Sequence, residues 1–157
     1  MRLYAHRDAL LDGLALAETV SGHNFSEHVR GKVLLKTSAA NSEIYITAVG
    51  ASAIVTSSTK MSRELSGPSD GALVVSADRL RAVLSSMDQV ELLLYGDDKG
   101  NLIVSQGVGD IEDVCVKIAA TDEKSFISVG KNQDLPTGEM DAEQLLNAIK
   151  KSSVPLT

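Results

Sequence analysis

Three helix-phased segments recur along this chain at nearly equal spacing, and that recurrence constrains the fold more than any single motif. From Asp8 to Val20, Leu10, Leu14 and Ala17 share one face, with Leu11 at its edge and Asp8, Asp12 and Thr19 opposite. From Ser76 to Met87 the stripe is Leu80, Val83, Leu84 and Met87, with Ser76 or Asp78 as the candidate N-cap. From Asp141 to Lys151 it is Ala142, Leu145, Leu146 and Ile149; Asp141 can cap this helix, and Lys150 and Lys151 suit its C-terminal dipole. Asp8-x-Leu10, Asp78-x-Leu80 and Glu143-x-Leu145 occupy matching places, 70 and then 65 residues apart.

The stretches between the helices read as strands. Val33 to Thr37, Ser42 to Val49 and Ala53 to Lys60 are rich in β-branched residues and alternate in polarity, as do Val90 to Tyr95, Leu102 to Gln106 and Ile111 to Ala119. In the last of these Val114, Val116 and Ile118 share a side, and Gly96-Asp97-Asp98-Lys99-Gly100 reads as a hairpin tip. Short strands precede the helices at Arg2 to Ala5, Ala72 to Val75 and Gly138 to Met140. The unit is therefore strand, helix, three strands, used twice, with a third unit begun at the third helix. This predicts an α+β domain in which two helices pack side by side against antiparallel sheets. Residues 1–128 make that domain, residues 129–138 a linker rich in Gly, Asn and Pro, and residues 139–157 the opening of a second domain.

Composition narrows what such a domain can do. Of 157 residues 43% are hydrophobic but only 3% aromatic, so the core must be aliphatic. A chain of this length buries roughly 70% of its unfolded surface, which removes the need for metals or disulfides as staples. The single cysteine, Cys115, lies between two valines and reads as a strand thiol, which fits a reducing, cytoplasmic setting. No apolar run reaches the roughly 18 residues of a membrane span, and the start has no signal-peptide pattern. The net charge is −6, yet residues 1–90 carry nine Lys/Arg and nine Asp/Glu whereas residues 91–157 carry six against twelve. All six arginines fall at or before Arg81, which leaves the first part able to offer a local basic surface to a polyanion.

Catalytic constellations are missing from the pattern. His6, His23 and His28 do not combine with Cys115 at a metal-ligand spacing. Gly107-Val108-Gly109 lacks the strand-to-helix context of a phosphate loop, and no serine sits in a nucleophile elbow. The expectation is no catalytic residue, no metal and no cofactor. Arg79 and Arg81, bordering the polar side of the second helix, read either as a solvated face or as phosphate contacts without base reading.

In element order and in a few segments the chain resembles the bacterial DNA sliding clamps, the beta subunits of the replicative DNA polymerase III. The segments are Met1 to Ala5 leading to Arg7-Asp8-Ala9-Leu10-Leu11, then Gly31 to Leu35, then Gly71 to Leu80, with Asp122 to Phe126 echoing that family's acidic-aromatic close of its first domain. Glu27-His28-Val29-Arg30 and Ala48 to Ser52 depart from the family pattern, which marks a divergent member. The resemblance implies a DNA-clamp fold and a processivity factor: a ring of such domains encircling duplex DNA, tethering the polymerase and served by a clamp loader. It implies sequence-independent DNA contacts at Arg7, Asn24 (His23 in a shifted register), Arg79 and Arg81. It also implies a ring interface at Arg79, Val83 and Ile111. Two other readings stay open: an interaction module that kept the fold and lost the ring, and a small hydrolase.

Overall fold

Each of the two repeat units opens with a strand that runs straight into a helix. In the computed structural model the first unit is β1 (Arg2–His6), α1 (Arg7–Ser21), β2 (Lys32–Ser38), β3 (Glu43–Val49) and β4 (Ile54–Lys60). The second is β5 (Gly71–Ser76), α2 (Ala77–Ser86), β6 (Glu91–Gly96), β7 (Leu102–Val108) and β8 (Ile111–Ile118), followed by the short β9 (Ala120–Thr121) and the helix α3 (Ala142–Ser152). The structure describes residues 1–22, 26–27, 29–63, 70–108, 111–124, 126 and 142–152. The expected strand at Gly138 to Met140, the linker and the Asp141 cap lie outside the described residues.

The units exchange their opening strands. One antiparallel sheet has the order β1-β6-β7-β8 and the other β4-β3-β2-β5-β9, so β1 joins the second unit's meander and β5 joins the first's. The exchange is locked by two matching hydrogen bonds at the helix starts: Arg7 N donates to Val90 O at 2.7 Å, and Ala77 N donates to Gly31 O at 2.9 Å. The strand ends match as well, for Arg63 bridges to Tyr4 on β1 much as β9 pairs with β5. Each sheet is therefore complete only with the opening strand of the other unit.

Period-two alternation turns one face of each strand inward. Ile44, Ile46 and Ala48 of β3 are buried, as are Leu92 and Leu94 of β6, and they meet Leu10, Leu14, Leu80 and Leu84 of the helices in one aliphatic core. Ser76 is the N-cap of α2, its Oγ accepting from Arg79 N at 3.4 Å. Gly13 lets α1 approach β3 and β4 closely: a Cβ there would lie 2.8 Å from Ser57 Oγ and 3.2 Å from Ile46 Cδ1. A second cluster occupies the other face of the larger sheet, where Phe126 packs with Val29, Leu34, Val49 and Val74. On β8, Ile118 is buried, Val116 packs partly against the core and Val114, nearer the strand's start, is exposed. Among the described side chains of that strand, burial rises from Val114 to Ile118.

The β6–β7 turn is the hairpin tip expected from Gly96 to Gly100. Asp97 Oδ1 accepts from Lys99 N at 2.9 Å and Asn101 N at 2.8 Å, Gly100 takes a positive φ of 78°, and Lys117 Nζ lies 3.4 Å from Asp97 Oδ2. The Asn101 backbone N–H, above all, holds the Asp97 carboxyl below its ordinary range. A depressed carboxylate stabilises the fold at neutral pH and loses that contribution as pH falls through its folded value. Asp97→Asn should therefore lower stability at pH 7 and flatten its loss below about pH 4. Denaturant titrations of both proteins across that range check this, and parallel curves would remove Asp97 from the acid response.

Candidate nucleic-acid interface

The two helices lie side by side and antiparallel, and two arginines set that geometry. At one end Arg7, at the start of α1, donates from Nη1 to Met87 O just past α2, at 2.6 Å. At the other, Arg81 Nε donates to Glu18 Oε1 and its Nη2 lies by Glu18 Oε2, both at 2.8 Å, a bidentate pair between the helices. Neither helix has a basic residue in its own last turn, so Arg7 supplies the positive charge that the C-terminus of α2 lacks. Arg7 also lies 3.2 Å from Asp8.

Of the expected DNA contacts, Arg7 and Arg81 thus have their guanidinium groups engaged within the helix pair. Arg79 is exposed and makes no ion pair among the described residues. Asn24 and His23 lie outside the described residues. The exposed side of the pair also carries Asp8, Asp12 and Asp78, so the two helices together hold four carboxylates and three guanidinium groups. Val83 is half-buried beside the core, and Ile111 begins β8. Arg79 and Val83 lie on one helix at the β8 end of the domain.

At the two ends of the domain, β8 and β4 are the outermost strands of their sheets, with no strand partner on the far side among the described residues. The domain thus consists of a four-stranded and a five-stranded antiparallel sheet with an antiparallel helix pair. Solved structures of that architecture match it. A DNA polymerase sliding clamp from Bacillus subtilis superposes with a TM-score of 0.66 at 10% identity, over 87% of this chain and 34% of that one. The DNA polymerase III beta subunit of Thermotoga maritima gives 0.67 at 15% identity, over 89% and 34%. A Helicobacter pylori beta clamp bound to a DNA ligase peptide gives 0.66 at 12%, over 88% and 34%. The chain has the sliding-clamp fold. It spans about a third of the length of these clamps. No protein-family model and no curated protein matches the sequence.

Within the clamp fold, sequence reasoning missed Glu18 and the Met87 carbonyl, the two groups that hold Arg81 and Arg7. Their partners lie 63 and 80 positions away, and no local signal marks either pairing. Among the described residues no three His, Cys, Asp or Glu side chains gather as metal ligands, and no described helix is long and apolar enough to cross a membrane.

Proposed function

We propose that this chain is a clamp-type processivity module, a non-catalytic accessory part of a cytoplasmic DNA polymerase that acts by topological tethering. The observation that carries this reading is the clamp architecture with its paired helices on one side and a free sheet edge at each end. Residues 1–128 form the clamp domain, residues 129–138 a linker and residues 139–157 the opening of a second domain. Clamp domains join through the α2 and β8 end, with Arg79, Val83 and Ile111 at the contact, into a ring around duplex DNA. The polymerase and the clamp loader engage the assembled ring. DNA contacts at Arg7, Asn24, Arg79 and Arg81 are few, directed at phosphate and indifferent to sequence, with Arg7 and Arg81 offering only the donors left over from Met87 O and Glu18.

A second reading, an interaction module with the clamp fold and no DNA in its centre, is favoured by the excess of carboxylates on the helix pair. Self-association separates the two. Arg79→Glu should lower the native mass measured by light scattering while leaving the melting temperature unchanged, because Arg79 is exposed and outside the core. An unchanged mass removes α2 as the contact.

A further inference from the structure

We propose that the outer face of the smaller sheet, turned away from the helices, is a contact surface for single-stranded nucleic acid. It shares no residue with the helix pair or the ring contact, so it stands or falls apart from the ring reading. Alternation sends Leu3, Leu92, Leu94, Leu102, Val104 and Ile118 of β1, β6, β7 and β8 into the core, and the residues between them face the other way. The pairing register then lines up Arg2, Tyr95, Ile103 and Lys117 in one row across the four strands of that face. Tyr4 and Leu93 stand in the next row.

Two of the chain's three tyrosines are therefore on this face, and each lies under a guanidinium. Arg63 Cζ is 4.1 Å from the Tyr4 ring centroid, and Arg2 Cζ is 5.9 Å from that of Tyr95. As a diagonal pair on neighbouring strands the two tyrosines are roughly 7–8 Å apart, within reach of successive bases of an extended strand. Arg63 is held by Glu91, and Lys117 Nζ lies 3.4 Å from Asp97 Oδ2, whereas Arg2 is exposed and makes no ion pair among the described residues. Both described carboxylates bordering the face are thus paired, and one cation is left over. On the helix pair the balance runs the other way, with carboxylates in excess. A single strand matches both features of the sheet face: its phosphates suit the free cation, and its unpaired bases stack on tyrosine rings and guanidinium planes. A duplex keeps its base faces within its own stack and brings only phosphates.

The test follows the fluorescence anisotropy of a labelled oligothymidylate as the full 157-residue chain is added at low salt. Binding should saturate, weaken as salt rises, and resist competition by a duplex of equal length better than competition by the same single strand. Tyr95→Ala should weaken it about fivefold or more, the loss of one stacked base. Arg2→Ala, at an exposed site that leaves the fold intact, should weaken it and flatten the log–log salt slope by about 0.7, the share of one phosphate on a single strand. Arg30→Ala, an exposed arginine in the loop before β2, should change neither quantity. Absence of binding at low salt overturns the proposal, as does undiminished binding by Arg2→Ala or by folded Tyr95→Ala. Equal losses from Arg2→Ala and Arg30→Ala overturn it too, because the chain's charge and not this face would then be responsible. Polyglutamate competing as well as the oligonucleotide also overturns it and points to an acidic protein partner in place of a nucleic acid.

Discussion

Leu84→Ala is expected to cost about 2–5 kcal/mol of unfolding free energy, the range for deleting a leucine side chain from a packed core without full collapse of the cavity. Leu84 is completely buried in the main aliphatic cluster, among residues of both sheets. For a chain of this size each kcal/mol lowers the melting temperature by roughly 2–4 °C, so the loss should be visible in a simple thermal scan. Leu14 is its repeat equivalent on α1 and is equally buried, so Leu14→Ala should fall in the same range. Ser85→Ala, on the exposed side of α2, should stay within about 0.5 kcal/mol. A loss under 0.5 kcal/mol for Leu84→Ala would place that face at the surface and undo the packing described above.

Both helices of the pair were legible because burial on one side imposes a period on a helix that sequence displays directly. Leu10, Leu14 and Ala17 against Asp8 and Asp12 could be read in no other way, and α1, α2 and α3 fall within a residue or two of the expected spans. The strands and the turn at Asp97 were legible for the same local reasons. What was not legible is everything that depends on partners distant in sequence. The exchange of β1 and β5 between units leaves no trace in either strand, because alternation tells which face is buried and not which neighbour pairs. The second cluster around Phe126 follows only once Leu34 and Val74 are known to line the outer face of a sheet. Arg7 and Arg81 look like free cations in the sequence, since nothing near them reveals that Met87 O and Glu18 take up their donors. The charge of the helix pair therefore needed the structure.

That charge makes DNA retention the second large effect. With Arg7 and Arg81 engaged and Asp8 and Asp12 exposed, the helix pair of an unassembled chain has little to offer a phosphate backbone. Each neutralised phosphate contributes a slope of about −0.9 in log K against log salt, and a helix pair whose one unengaged guanidinium is Arg79 gains little affinity by that route. On the proposed clamp reading, holding power comes from closure around the duplex and not from attraction. The chain should show no binding to a short linear duplex at physiological salt.

The most direct measurement assembles the protein on nicked circular duplex, passes it through a sizing column at high salt, and then cuts the circle. Protein should travel with the circle, regardless of its sequence, and be released when the DNA is linearised. Equal retention on circular and linear DNA, sequence-specific binding that resists salt, or no retention of an assembly whose mass shows it to be closed would each contradict topological tethering.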